Sequence, residues 1–157
     1  MTSLTSDPIL KSVTVPLRPD AAFDLFIRDI AHWWPAQHSQ SAKTGGKPVK
    51  IEVDPHKNGR ITEVTPDGSR VLWGTIIGWE PGRYLSFTWH PGKSADEATV
   101  VAITFTATKD GTRVDLTHGG LGILGDVADA VSTSYLRGWS LVLGCYQTCA
   151  VKELVAA

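Results

Sequence analysis

The spacing of apolar residues changes period three times along the chain, and each change marks a new kind of element. "LKSVTVPL" alternates and carries β-branched residues, which predicts a strand ending at Pro16. "RPDAAFDLFIRDIAHWW" follows, with Phe23, Phe26, Ile27 and Ile30 as an apolar stripe at helical spacing. Pro19 suits the first turn of that helix and Asp20 its positive end. Pro35 closes or redirects the element, and "AQHSQSA" reads as a short second helix or a loop. Over residues 47–118 the pattern becomes six short β-rich runs: "KPVKIEV", "GRITEVT", "SRVLWGTIIGWE", "RYLSFTW", "ATVVAITFTAT" and "TRVDLTH". The turn sequences between them, such as "PDG", "PG" and "KDG", are short enough to force antiparallel neighbours. From about 129 to 155 there is no proline, and Tyr135, Trp139, Val142, Leu143, Tyr146 and Ala150 recur at steps of three and four. That predicts one long amphipathic helix.

The order is a loose leader over residues 1–9, a strand, one or two helices, six strands in a meander and a long helix. The class is α+β. A sheet this wide twists and curls, and only the C-terminal helix is long enough to cover its apolar face. A curved sheet gripping a helix leaves a wedge between them, and a concave apolar hollow there is the expected ligand site. A continuous pocket above ~300 Å³ between sheet and helix favours binding or catalysis, whereas a wedge filled by side chains counts against an interior ligand and in favour of a surface interaction.

Alternation assigns the faces. Leu85, Phe87 and Trp89 point inward, as do Val101, Ile103 and Phe105, and Val114, Leu116 and His118. Both faces of "SRVLWGTIIGW" are apolar, and Trp73 is grouped by parity with Val71, Thr75 and Ile77. The candidate ligand-binding set is Trp73, Phe87, Trp89, Phe105 and His118 from the sheet. Tyr135, Trp139 and Tyr146 join it from the last helix, and Trp34 from the first helical segment. A well-packed core would use many of the same residues. Six tryptophans are more than a core of this size usually needs, and each brings an indole N–H that requires a partner. His118 is either a structural histidine or a polar anchor in the cavity. A general acid or base would need a partner group, and no second titratable residue is evident on that face. No catalytic residue is assigned.

Neighbours on a helix diverge by about 100°, so the pair Trp33 and Trp34 cannot share a face. The stripe through Ile30 continues to Trp34, which makes Trp34 the inward member and a wall at one end of the cavity. Trp33 is expected on the outer surface or against the next loop, as a lid or contact residue.

Composition narrows the function classes. With 157 residues the chain has the size of one domain, over 1–157 with a core of about 11–155. Fifteen basic and sixteen acidic residues give a net charge of −1, which argues against a nucleic-acid partner. No apolar run approaches the ~20 residues of a membrane span, and no basic, apolar leader suggests a signal peptide. The expected location is cytoplasmic. Cys145 and Cys149 lie four apart in the predicted helix and read as free thiols, since helical side chains at that step bridge poorly. The five histidines form no metal-ligand spacing, and no metal or cofactor is expected. There is no G-x-G-x-x-G, Walker loop, H-E-x-x-H or G-x-S-x-G. Gly138 and Gly144 interrupt the last helix at about 1 kcal/mol each relative to alanine. They are tolerable where the helix must approach the sheet or leave room for a guest.

Several stretches together resemble a known family: "AAFDLFIRDIAHWWP" followed by "HS", "GRITEV…DGS…WGTIIGWEPGRYLSFTW", "GTRVDLTHGGL" and "YLRGWSLVLGCY". In this order they resemble the bacterial proteins related to the Hsp90 ATPase activator, within the START-like (SRPBCC) superfamily. Trp73, Trp79, Trp89, His118, Gly138 and Trp139 match the signature by position. "WEPG" and "NGR" depart from it at turns, which affects loop shape. The resemblance implies a helix-grip (Bet v 1-like) fold: a curved antiparallel sheet of about seven strands around a long C-terminal helix. It also implies an interior cavity for hydrophobic molecules, with some relatives acting as cyclases or hydrolases. The leading function is binding of a small hydrophobic or aromatic ligand. The alternatives are a cyclase-, lyase- or hydrolase-type enzyme using His118 with a bound water, and an interaction module for an Hsp90-type chaperone. A chaperone contact and a homodimer both stay open as partners.

Overall fold

The computed structural model describes residues 8–91 and 93–156. The strands are β1 (Ile9–Val15), β2 (Lys50–Val53), β3 (Arg60–Val64), β4 (Arg70–Glu80), β5 (Tyr84–Trp89), β6 (Thr99–Thr108) and β7 (Gly111–Gly119). They form one curved antiparallel sheet in the order β1-β7-β6-β5-β4-β3-β2. β2 to β7 are a plain meander, as their short turns require. β1 closes the far edge by pairing with β7, from Ile9 opposite His118 to Val15 opposite Thr112. Two α-helices complete the fold, α1 (Pro19–Ile27) and α2 (Ala128–Ala156), and short 3-10 turns fill the links between elements.

Beyond Ala128 in its first turn, the buried residues of α2 among those described are Trp139, Val142, Leu143, Tyr146 and Ala150, the stripe that the three- and four-residue steps predict, with Tyr135 half-buried at its start. They pack on Leu85, Phe87, Trp89, Val101, Ile103, Phe105, Val114 and Leu116, the inward set that alternation assigns to β5, β6 and β7, within one core. Burial at this scale, ~25 cal/mol per Å² of apolar surface, is what holds helix to sheet. α1 seals the gap from one side. Phe23 meets Phe105 edge-on at 5.3 Å, Phe26 meets Tyr146 at 5.1 Å, and the Tyr146 hydroxyl donates to the Ala22 carbonyl at 2.8 Å.

Two expectations from periodicity fail, each for a local reason. β4 does not keep one parity along its length. Its pairing slips beside Ile61 and Thr62 of β3, and again between Ile76 and Gly78 opposite β5. Each slip is a bulge, and a bulge transfers following side chains to the other face. Trp73 stays buried, but Ile76 rather than Ile77 is its inward successor, and Ile77 is 43% exposed. Gly74 sits within the first irregularity because a Cβ there would lie 1.7 Å from the Thr88 carbonyl oxygen.

The second failure concerns the tryptophan pair. α1 ends at Ile27, and a separate 3-10 turn, Ile30–His32, follows. The amide of Asp29 bonds to Asp24 rather than Leu25, so the Leu25 carbonyl is left without a helical partner. The Trp33 indole N–H takes it at 2.8 Å. Trp33 therefore folds back into the core, 5% exposed, against Phe26 and Tyr146 at 5.2 Å each. The 100° rule does not apply across this break, and the expected outward position of Trp33 is wrong.

Candidate functional site

Four tryptophans from four elements converge where the wedge opens to solvent. Trp34 comes from the segment after α1, Trp73 from β4, Trp89 from the end of β5 and Trp139 from α2. Trp34 is the hub, with ring centroids 4.9 Å from Trp73, 5.8 Å from Trp89 and 6.1 Å from Trp139. Trp89 and Trp139 stand 5.5 Å apart. Between them lies a cleft of about 140 Å³, walled by Trp34, Trp89, Tyr135, Trp139 and Val142, with His38, Gln40, Ser134 and Gly138 towards its mouth.

Of the nine residues singled out in the sequence, the cleft brings together Trp34, Trp89, Tyr135 and Trp139. Trp73 lies behind Trp34 and is fully buried. Phe87, Phe105 and Tyr146 are core residues packed against other aromatic rings. The wedge between sheet and α2 is thus filled by side chains over most of its length, so the continuous interior cavity expected from the sequence is not found among the described residues. The open space, smaller than the ~300 Å³ expected of such a cavity, is confined to one end. A larger open groove, about 570 Å³, runs between the Ile30–His32 turn and α2 past Trp33, Gly144, Cys145, Cys149 and Lys152. It presents one aromatic ring, and solvent covers it. The aromatic cleft is the better enclosed site.

His118 lines neither space. It is 0% exposed, with the Tyr135 ring 4.6 Å away and Trp139 at 6.0 Å. The Trp139 indole N–H donates to Nδ1 at 2.9 Å. Nδ1 must then be the unprotonated nitrogen, so Nε2 carries the proton and donates to Thr99 Oγ1 at 2.6 Å. The Thr99 hydroxyl passes its own proton to the Trp89 carbonyl at 3.0 Å. The chain of donors ends on backbone. Burial lowers the His118 pKa to about 4, so the ring is neutral at physiological pH. With both nitrogens engaged and no route to the cleft, the His118 imidazole has no free acceptor with which to take a proton from a guest.

Sequence reasoning missed Glu63. Its carboxylate is fully buried and accepts from the Gln40 amide at 2.8 Å, the Ser41 amide at 2.7 Å and the Trp73 indole N–H at 3.0 Å, and also from the Ser41 hydroxyl. A carboxylate can remain buried when its acceptor sites are satisfied in this way. The effect is to anchor the segment carrying Trp34, His38 and Gln40 to the sheet. A signal was present: in "RITEV" Glu63 shares parity with the inward Ile61. Across the segment, the Trp34 indole N–H donates to the His38 carbonyl at 3.1 Å, which holds the ring at the mouth.

Cys145 and Cys149 are free and half-buried, and burial raises the Cys149 pKa. Among the described residues no helix is long and apolar enough to cross a membrane.

The family described as activator of Hsp90 ATPase homolog 1-like protein matches residues 17–143, from the turn before α1 to the middle of α2. The chain belongs to that family. Every cleft residue named above lies within the matched span. No curated protein matches the sequence. Among solved structures, a protein of Nitrosomonas europaea shares 13% identity at a TM-score of 0.71, over 99% of this chain and 100% of that one. A Rhodobacter sphaeroides protein shares 15% at 0.68, over 94% and 93%. Both likenesses concern the fold alone. The anthrahydroquino-γ-pyrone synthase Txn09, complexed with SUM, shares 25% identity at a TM-score of 0.63, over 90% of this chain and 96% of that one. As a member of the family, this chain has the helix-grip frame of START-like ligand-binding proteins.

Proposed function

We propose that this protein binds a small aromatic molecule, one ring of which enters the cleft between Trp34, Trp89, Tyr135 and Trp139. One observation carries the reading: aromatic side chains from three separate elements wall a common hollow and leave it unfilled. Its volume, about 140 Å³, suits a single ring, since an apolar cavity of ~150 Å³ accepts benzene. Ring–ring contacts of the offset or edge type add ~0.5–1.5 kcal/mol each beyond area burial. A polycyclic guest would need the Trp34 segment to swing outward. The likeness to an anthrahydroquino-γ-pyrone synthase supports an aromatic guest, and the fully engaged His118 favours binding over catalysis.

A chaperone contact rests on the family description. A cytoplasmic location accords with the two free thiols. The test is titration of the ¹⁵N-labelled protein with indole, toluene and benzamide, followed by two-dimensional NMR. Saturable shifts of the Trp34 and Trp139 indole N–H signals, with Trp33 unmoved, are expected. If none of the three probes moves them, aromatic binding at this cleft is refuted.

A further inference from the structure

The cleft does not end at its mouth. Beyond Gly138 it adjoins a second hollow of about 490 Å³, and the two share His38, Ser134 and Gly138. The chemistry changes across that boundary. The cleft is aromatic, whereas the outer hollow adds Thr133 and Arg137 from the first turns of α2. Gly138 faces His38 across the boundary: a Cβ there would make an ordinary contact with the His38 ring, 3.5 Å from Cε1.

Arg137 is exposed, and among the described residues its guanidinium enters no ion pair or side-chain hydrogen bond. Arg18, Arg28, Arg70, Arg83 and Arg113 are each paired with a carboxylate, and Arg60, which among the described residues is likewise in no ion pair, lies in a hollow with Glu52 and Asp54. No Asp or Glu side chain lines either hollow among the described residues. A planar guanidinium fork, two hydroxyls and an imidazole therefore surround the exit of a one-ring aromatic cleft. That donor set suits a carboxylate, which accepts two parallel N–H bonds from arginine.

We infer that the ligand is an aromatic acid: its ring occupies the Trp34–Trp89–Tyr135–Trp139 cleft, and its carboxylate lies in the outer hollow against Arg137, with Ser134 and His38 beside it. The inference rests on the cleft reading above and deepens it by naming the ligand class.

Benzoate, benzamide and benzylamine carry the same ring with an anionic, a neutral and a cationic group. Their dissociation constants for the full chain, from calorimetry or NMR titration at low salt, separate the two claims. Benzoate is expected to bind about three- to tenfold more tightly than benzamide, the modest range of a solvent-exposed charged hydrogen bond. The preference is expected to shrink at high salt. In Arg137→Gln the benzoate-to-benzamide ratio is expected to fall to about one. Equal binding of benzoate and benzamide, tightest binding of benzylamine, or a preference that persists in R137Q each overturns the acid assignment while leaving the cleft intact. Failure of all three probes to bind overturns the cleft and the acid assignment together.

Discussion

Trp139 on α2 and His118 at the end of β7 are joined by an indole-to-imidazole hydrogen bond of 2.9 Å inside the protein. The bond ties the gripping helix to the sheet and also selects the histidine tautomer. Both partners lie within the span that the family matches, and in this chain their shared role is to fix one wall of the cleft from behind.

Replacement of His118 by Ala leaves the Trp139 N–H buried without an acceptor and opens a void. A loss of about 3 kcal/mol is expected, combining the cavity and the unsatisfied donor. Urea unfolding of H118A against wild type measures it. A change within experimental error would show that the network does not hold the helix to the sheet.

The same histidine predicts a pH dependence. Its folded pKa, about 4, lies below the ordinary 6.5, so between these values the unfolded chain binds the extra proton. Stability from this group is fully present above about pH 6.5 and is lost progressively down to about pH 4. The total is on the order of 3 kcal/mol. Unfolding free energies across that window should fall in wild type and fall less in H118A. Parallel pH profiles would contradict the assignment.

The tryptophan pair divides by role. W33A removes a core side chain and its bond to the Leu25 carbonyl, so a cost of about 3–5 kcal/mol is expected. W34A removes a half-buried ring and should cost less while weakening aromatic binding at least several-fold. Thermal melts and the indole titration together test this. Equal destabilisation by the two changes, with no effect of W34A on binding, would count against the division.

Glu63→Gln keeps the size of the side chain but replaces one acceptor oxygen with an amide that cannot accept. One or more of the Gln40, Ser41 and Trp73 donors then loses its partner, at about 1–3 kcal/mol for a buried group. Faster amide hydrogen exchange at Gln40 and Ser41 is the specific readout. Unchanged exchange at those two amides would show that the carboxylate does not anchor the segment.

Much of this architecture follows from local pattern. Short turns carrying Gly, Pro and Asp make the β2–β7 meander unavoidable, and the three- and four-residue recurrence from Tyr135 to Ala150 marks the buried face of α2. Parity placed Phe87, Trp89, Phe105 and His118 inward without error because β5, β6 and β7 pair without a slip. It misplaced Ile77 because the bulges in β4 depend on what β3 and β5 require, and Gly74 and Gly78 hint at a break in the strand without fixing where the register slips.

The sequence by itself determined which residues are apolar and aromatic, their periods, and so the class of fold and the list of rings available to a site. Only the tertiary structure decided which of those rings meet around empty space. Trp34 and Trp33 are adjacent and chemically identical, yet one walls the cleft and the other fills the core. The difference comes from a carbonyl at Leu25 that the end of α1 leaves unpaired. Phe105 and Tyr146 face the expected wedge, but Phe23 and Phe26 of α1 fill it around them. Periodicity reports which way a side chain points. Whether another side chain already occupies that place depends on contacts between residues far apart in the chain.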